Sequence, residues 1–254
     1  MLSIDHVVIV VDDLARAGAD YRTLGFTVVE GGRHADGVTE NVLVAFEDGS
    51  YLELVSFIDS PPPEHLFARG EEVGEGLLAY ALLPGDIDET ISSARHKGLQ
   101  IKGPRDSGRK RPDGVQISWR LGIADGYDLP FLCADVTQRG LRVPHGPSAQ
   151  HANGATGVKR VTVAVESLDR SRERYSALLG GVATEKAHEH GVSFRLGGSE
   201  VRLVTGEDRG VKNYLERRGE GPYAITLGVD GRGEDTELAS TLTHGVRMNL
   251  KAGL

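Results

Sequence analysis

Apolar residues near the start of the chain are arranged as a strand followed by an amphipathic helix. The run from Ser3 to Val11 carries aliphatic residues at both odd and even positions, so both faces of this strand are expected to be covered. Apolar side chains then recur at the spacing of one helical face: Leu14, Ala17, Tyr21 and Leu24. Gly25 ends the predicted helix.

Strand-like runs follow this helix, and the same succession of elements then returns. The runs are Phe26 to Glu30, Asn41 to Phe46 and Tyr51 to Phe57, which makes the order β, α, β, β, β. A second unit of this kind is predicted from Gly76 onward. It contains a strand at 77–83, a helix bearing Ile87, Ile91, Ala94 and Leu99, and strands around 99–102, 115–121 and 129–133.

A polar stretch without periodicity separates these two units from the rest of the chain. Residues 143–157 are rich in Pro, Gly, Ser and Asn, a composition typical of connections. We therefore predict an N-terminal domain over residues 1–137, a linker over 138–155 and a C-terminal domain over 156–254.

Residues of the first unit reappear 154 positions later, beyond the predicted linker. The matched residues are Val7, Val11, Leu14, Arg16, Tyr21 and Leu24 in the first copy and Val161, Val165, Leu168, Arg170, Tyr175 and Leu178 in the second. Identical residues at equal spacing indicate a duplicated module. A strand at Tyr223 to Val229 and a helix around Glu234 to Leu242 are expected to begin a shortened fourth unit.

The repeated order predicts an α+β fold in which βαβββ modules form curved mixed sheets. One such sheet covers one face with its helix and leaves the opposite apolar face open to water, so two modules are expected to pair. Pairing would create a cleft between the modules, and one face of the first strand would line it.

Composition and charge narrow the cellular setting and the partners. Hydrophobic residues make up 39% and charged residues 26% of the chain, as in globular proteins with a packed core. The net charge of −8 argues against nucleic acid or an anionic membrane as a partner, since both require a positive surface. The lone Cys133 excludes an internal disulfide, and the apolar run at Val7 is too short to span a membrane. The sequence therefore predicts a cytoplasmic protein.

Several segments of the N-terminal half carry family motifs. They are Ile4-Asp5-His6-Val7-Val8-Ile9-Val10-Val11-Asp12-Asp13-Leu14, Gly31-Gly32-Arg33-His34, Thr39-Glu40-Asn41 and Asp48-Gly49-Ser50-Tyr51-Leu52-Glu53-Leu54-Val55. In this order they resemble the larger glyoxalase-like branch of the vicinal oxygen chelate superfamily. The resemblance implies the fold shared by glyoxalase, bleomycin resistance protein and dihydroxybiphenyl (extradiol) dioxygenase.

The resemblance also implies a divalent metal site, built from four residues of two paired modules. Its first-module positions fall on His6 and Glu53, which suit a divalent ion of Zn, Mn, Ni or Fe. Its second-module positions fall on Tyr80 and Pro130, and proline offers no side-chain ligand. We expect either a weakly bound metal at His6 and Glu53 or a metal-free site in which these two side chains form a hydrogen bond.

The cleft is expected to bind substrate through His34, Asn41, Tyr80 and Trp119. His34 could supply a third metal ligand or remain an exposed loop histidine. Trp119 shares a face with Ile117 and Leu121, which favours core packing over stacking on substrate.

Two groups of arginines are further candidates for binding anions. One comprises Arg105, Arg109, Lys110 and Arg111 near a strand connection, where it could steer an acidic substrate or form ordinary solvated surface. The other comprises Arg160 and Arg202, which stand at the positions of His6 and Glu53 in the second copy. Two arginines cannot hold a metal ion, so they form either an anion pocket or common ion pairs. The active cleft is therefore expected in the N-terminal half.

The resemblance allows two kinds of function. The first is an enzyme acting on a small oxygenated metabolite by lyase, isomerase or dioxygenase chemistry, with Glu53 as base or ligand and His6 as its partner. The second is a non-catalytic protein that binds or sequesters a small molecule or antibiotic. A histidine and a glutamate on cleft strands favour the enzyme, because an apolar trap has little use for a buried carboxylate. The residues identify neither the substrate nor whether the chain forms a homodimer.

Overall fold

The computed structural model describes residues 2–181, 183–231 and 235–253. Its strands form a closed barrel and an open seven-stranded sheet. The barrel strands are β1 (Ser3–Val10), β2 (Val29–His34), β3 (Thr39–Ala45), β4 (Tyr51–Phe57), β5 (Gly76–Leu83), β6 (Ile101–Lys110), β7 (Gln116–Ala124) and β8 (Phe131–Asp135). The strands of the second sheet are β9 (Ala155–Ala164), β10 (Thr184–His188), β11 (Gly191–Leu196), β12 (Ser199–Val204), β13 (Gly221–Val229), β14 (Thr236–Glu237) and β15 (Arg247–Ala252).

Short helices connect these strands. They are α1 (Leu14–Thr23), α2 (Arg69–Val73), α3 (Ile87–His96), α4 (Arg139–Arg142), α5 (Leu168–Leu179) and α6 (Arg209–Arg218), with a 3-10 helix at Gly146–Ala149. None of the described helices is long and apolar enough to cross a membrane.

Two βαβββ units close the barrel. Its strand order is β1-β4-β3-β2-β6-β7-β8-β5, so the units meet where β1 pairs with β5 and where β2 pairs with β6. Strand β1 runs parallel to β4 and antiparallel to β5. The predicted α+β fold with curved mixed sheets is confirmed, and the two paired units enclose the interior of this barrel.

The second sheet repeats the neighbour relations of the first unit. Strand β9 lies between the parallel β12 and the antiparallel β13, as β1 lies between β4 and β5. Helices α1 and α5 follow β1 and β9, and each begins with a capping side chain. Asp13 accepts from the backbone N–H of Arg16, and Ser167 accepts from that of Arg170. The sequence repeat therefore corresponds to a repeated topology.

The predicted helix around Glu234 to Leu242 is wrong where the chain can be described. Glu234 lies outside the described residues, and the following residues form the short strand β14 and a turn. Strand β14 pairs with β15, and the backbone N–H of Leu238 donates to the carbonyl of Met248. Serine and threonine compete for backbone hydrogen bonds and disfavour helix here, and sheet pairing satisfies the backbone instead.

The segment with linker composition packs against the barrel. Arg142 in α4 is buried, and His151 accepts from the backbone N–H of Thr27 while its other ring nitrogen bonds the carbonyl of Ala45. These contacts cover the barrel end formed by β3 and the α1–β2 connection. The division at residues 138–155 stays a prediction.

The barrel and the second sheet share one apolar core on their helix side. Helices α3 and α5 pack together, and strand β5 contacts β13. Within this core the hydroxyl of Tyr80 bonds that of Tyr175. A separate apolar cluster lies inside the barrel and includes Val8, Trp119 and Phe131.

Candidate functional site

A cavity inside the barrel gathers most of the residues that the sequence marks as candidates. His6 comes from β1, His34 from β2, Asn41 from β3, Glu53 from β4 and Trp119 from β7, and all five line the cavity. Strands expose alternate side chains to each face, which is why residues far apart in the sequence meet inside the barrel. Their placement is the one expected for a shared site.

Tyr80 is the exception, because it does not line this cavity, and its role in substrate binding stays a prediction. Its side chain is 1% exposed, belongs to the core on the helix side and bonds Tyr175. Equal counting from Asp12 and Asp86 leads to Tyr80, but the residues that cap α1 and α3 are Asp13 and Asp86, and counting from these makes Ala79 the equivalent of His6. His6 lies opposite Ala81, and Tyr80, which stands between Ala79 and Ala81, points away from the cavity.

Glu53 is the point on which three side chains converge. The amide nitrogen of Asn41 donates to Oε1 of Glu53, and Nε2 of His34 lies 3.3 Å from the same oxygen. Nε2 of His6 lies 3.5 Å from Oε2. Burial by itself would raise the pKa of Glu53, but the hydrogen bond and charge of His34 and the hydrogen bond of Asn41 outweigh it and lower the pKa to about 2. Glu53 is therefore a stable anion and a weak base.

The orientation of His6 is fixed from its other ring nitrogen. Nδ1 of His6 lies 2.7 Å from Oδ2 of Asp5, whose side chain is fully buried. Burial would raise the pKa of Asp5, but the charge of Arg142 and the bond to His6 hold it well below its usual range. Because Asp5 is ionised it accepts, so Nδ1 of His6 carries the proton and Nε2 faces Glu53. The ring also stacks on Tyr51 at 4.6 Å between centroids.

Arg142 completes this arrangement from outside the barrel strands. Its guanidinium donates to both oxygens of Asp5 at 2.8 and 3.1 Å, to Asp135 at 2.5 Å and to the hydroxyl of Tyr51 at 2.7 Å. No pattern in the sequence selects Asp5 or Arg142. Asp5 precedes His6 in a strand and would normally face the other way, and Arg142 lies in the predicted linker over residues 138–155.

The cavity also contains an arginine that the sequence analysis placed near a strand connection. The predicted second strand of the second unit ended near Lys102, whereas β6 continues to Lys110 and includes Arg105 and Arg109. Arg109 is 3% exposed and lines the cavity. The expected strand connection is therefore wrong, because pairing with β7 extends β6 through a polar stretch that no apolar pattern reveals.

The two arginines of the second copy contact one carboxylate. Nε of Arg160 bonds Glu200, and Nη2 of Arg202 lies 3.4 Å from the same Glu200 oxygen. Both side chains are partly exposed. The ion-paired alternative describes this pair, and the barrel cavity remains the better candidate site.

The donor set in the barrel has the right chemistry for a divalent ion but an incomplete geometry. Two imidazole nitrogens and a carboxylate face one another, and the buried Oδ1 of Asn41 has no hydrogen-bond partner in the part of the chain that the structure describes. Across residues 2–181, 183–231 and 235–253, however, no group of three or more His, Cys, Asp or Glu side chains is arranged to hold a metal ion. The residues present fit an ion held by His6 and Glu53 and completed by water.

Comparison with known proteins assigns the family. The glyoxalase-like domain family matches residues 4–179, which include the whole barrel and the β9–α5 part of the second sheet. The chain belongs to the glyoxalase-like domain family. A search of curated protein sequences gave no match.

Solved structures agree with this membership of the glyoxalase-like family at the level of the fold. A hypothetical protein from Staphylococcus aureus is 14% identical with a TM-score of 0.80, over 99% of this chain and 100% of that one. A 4-hydroxymandelate synthase mutant from Streptomyces coelicolor is 18% identical with a TM-score of 0.61, over 90% of this chain and 71% of its own. A fusion protein of a xylose isomerase-like TIM barrel and a 4-hydroxyphenylpyruvate dioxygenase is 21% identical with a TM-score of 0.56, over 90% and 36%.

The low pKa of Glu53 predicts how stability responds to acid. A carboxyl whose pKa falls from an ordinary 4.5 to about 2 on folding contributes stability above pH 4.5 that is lost as the pH falls through 2. We expect Glu53→Gln to flatten the decline in the free energy of unfolding between about pH 4.5 and 2. Urea unfolding at several pH values measures this slope, with the exposed Glu71→Gln as the matched control. An unchanged slope would contradict the assigned hydrogen bonds of Glu53.

Proposed function

We propose that the barrel cavity is the active site of an enzyme that acts on a small oxygenated metabolite by proton transfer, in the manner of a lyase or an isomerase. The observation that carries the proposal is the convergence of His6, His34 and Asn41 on a buried, ionised Glu53. Buried charges are costly, and their concentration in a cavity is typical of functional sites.

In this proposal His6 moves the proton and Glu53 stabilises the charge that results. Nε2 of His6 faces the cavity, while Nδ1 donates to Asp5. A substrate proton taken up by Nε2 creates an imidazolium that lies between two carboxylates, at 2.7 Å from Asp5 and 3.5 Å from Glu53. The sequence-based expectation of Glu53 as the base is less favourable, because its pKa of about 2 leaves it little affinity for a proton near neutral pH.

The walls around these groups are suited to excluding water from a small substrate. Apolar side chains that line the cavity include Leu43, Phe67, Leu121 and Phe131. Phe67 lies in the connection between β4 and β5, which is tied to the β2–β3 turn by His65, whose Nε2 lies 3.2 Å from Asp36. In such surroundings a charge on His6 or Glu53 interacts more strongly with substrate than it would in water.

A divalent ion bound by His6 and Glu53 would add Lewis acidity toward a substrate oxygen, which is the property used in dioxygenase, lyase and isomerase chemistry. Among the chain's own residues, Asp5 would then orient His6 and Asn41 would orient Glu53.

Weak metal binding is a separate, measurable prediction. With two protein ligands, we expect zinc, manganese, nickel or iron(II) to bind at one site per chain, to be removed readily by a chelator and to leave the unfolding temperature nearly unchanged on removal. Calorimetric titration of chelator-treated protein measures the affinity and stoichiometry. His6→Ala and Glu53→Ala should each abolish binding, with His96→Ala as the control. Tight binding that survives both substitutions would place the metal elsewhere.

The enzyme proposal is tested by incubating the purified protein with a mixture of small metabolites, with and without added divalent metal. Mass spectrometry then follows which compounds disappear and which appear. We expect at least one oxygenated compound to be converted by the wild type and not by His6→Gln. Absence of any conversion under both conditions counts against an enzyme.

A non-catalytic binding protein is the second candidate, and the hydrogen bonding of Glu53 favours it. Two of the groups around Glu53 bond its Oε1, so the carboxylate is held as a fixed acceptor with little freedom to react. The same incubation distinguishes this case: a compound retained with the protein after filtration but recovered unchanged supports binding alone. The cytoplasmic location predicted from the sequence is compatible with both functions.

A further inference from the structure

Strand β6 directs a row of polar side chains into the barrel cavity. Arg105, Ser107 and Arg109 stand at alternate positions of β6 and all line the cavity. Alternate residues of a strand share a face, and four residues span about 13 Å. The two arginines therefore mark the outer and the inner part of one wall.

Arg109 is a deeply placed cation without an ion-pair partner among the described residues. Its guanidinium donates to the backbone carbonyl of Gly31 and, at 3.1 Å, to that of Arg142. Gly31 occupies a bulge in β2, where its carbonyl turns out of the strand ladder toward Arg109. Two carbonyl oxygens use two of five N–H groups and neutralise none of the charge.

The contrast with the neighbouring Arg142 shows that this charge is unusual. Arg142 is also 3% exposed, but it contacts the carboxylates of Asp5 and Asp135. Burial lowers the pKa of Arg109 because removal from water disfavours its charged form. A buried cation is normally paired, so the missing anion is expected to come from a ligand.

The position of Arg109 relates it to the candidate catalytic groups. Arg109 is the strand partner of His34 where β6 pairs with β2, and both side chains line the cavity. On the adjacent β7, Trp119 lies opposite Ser107 and Leu121 lies opposite Arg105, so these two side chains supply an apolar surface between Arg109 and the mouth of the cavity. Arg105 is exposed, makes no hydrogen bond or ion pair with the described residues, and borders both the cavity and a wider outer groove.

We propose that the cavity takes a small organic acid whose carboxylate binds the guanidinium of Arg109 and whose apolar body lies against Trp119 and Leu121. This inference rests on the proposed function in one respect, because the acid binds in the same cavity as His6 and Glu53. The planar fork of an arginine matches the two oxygens of a carboxylate. Arg105 at the mouth attracts the acid from solution, against the overall charge of −8.

Benzoate and its neutral analogue benzamide test this proposal directly, because they have nearly the same shape and differ in charge. Trp119 is the single tryptophan of the chain and lines the cavity, so its fluorescence reports binding at this place. We expect benzoate to bind the wild type roughly tenfold or more tightly than benzamide.

Substitutions then locate the anion site. Arg109→Met is expected to weaken benzoate binding about tenfold or more and to leave benzamide binding nearly unchanged. Arg109→Lys retains the charge but loses the fork, and should give an intermediate affinity for benzoate. The control is Arg120→Met, because Arg120 pairs with Asp88 outside the cavity. Equal affinities of wild type for benzoate and benzamide would overturn the proposal, and this comparison does not depend on any variant being folded.

The outcome separates the anion site from the enzyme. Binding of benzoate that depends on Arg109, together with no conversion of any metabolite, would support the carboxylate site and refute the proposed enzyme. If the protein converts a metabolite but shows no preference for benzoate over benzamide, the proposed enzyme is supported and the carboxylate site is refuted. Benzoate binding that is preserved in a folded Arg109→Met protein would also overturn the assignment of Arg109.

Discussion

Replacing Arg142 with methionine is expected to lower the free energy of unfolding by about 3 kcal/mol, because the buried carboxylate of Asp5 then keeps only one arginine, Arg139, whose Nη1 lies 2.7 Å from Oδ1 of Asp5. Asp5 is fully buried and Arg142 is 3% exposed, so water cannot take the place of the missing guanidinium. The same change removes the hydrogen bonds of Arg142 to Asp135 and Tyr51. Urea denaturation at neutral pH measures the loss.

Two further variants show whether the buried charge is the cause. Arg120→Met removes an arginine from the exposed pair with Asp88 and is expected to change stability little. Adding Asp5→Asn to Arg142→Met removes a buried charge that has lost one of its two arginines, so the double variant should recover part of the stability lost by Arg142→Met alone. A loss in Arg142→Met no larger than that in Arg120→Met would contradict the assigned network.

Replacing His6 with glutamine is expected to lower the turnover of any compound that the wild type converts by a factor of about 10²–10⁴, the usual contribution of a positioned acid–base group. Glutamine retains hydrogen-bonding capacity but cannot accept and return a proton near neutral pH. Turnover numbers at saturating substrate, measured on the compound found by mass spectrometry, give the factor directly.

The matched control is His96→Gln, which makes the same substitution on the exposed end of α3. It should leave turnover unchanged. If His6→Gln retains most of the wild-type turnover, His6 is not the proton-transfer group, and the role would pass to another cavity residue such as His34.

The two predictions concern one connected structure. Arg142 holds Asp5, Asp5 orients His6, and His6 faces Glu53. Helix α4, which follows the last barrel strand, thus stabilises the candidate site through the contact of Arg142 with Asp5. A loss of Arg142 is therefore expected to disturb the tautomer and orientation of His6 as well as the fold.

The sequence by itself determined the repeated βαβββ order and the pairing of units. Apolar periodicity identified β1, α1, β4, β5 and α3, and the residues repeated at an interval of 154 correspond to the recurring β9–α5 topology. These features are local or repeat along the chain, so hydrophobic spacing, capping residues and glycine at helix ends suffice to reveal them. His6 and Glu53 could be selected for the same reason, because their motifs lie within single strands.

Only the tertiary structure decided which side chains share the cavity. Pairing of β1 with β5 put Ala81, and not Tyr80, opposite His6, and the bulge at Gly31 turned a backbone carbonyl toward Arg109. Both features depend on the partner strand, which an individual segment does not specify. Asp5 and Arg142 escaped selection, and Arg109 was assigned to a strand connection, because the energy of a buried charge depends on its neighbours in space, and those neighbours come from distant parts of the chain.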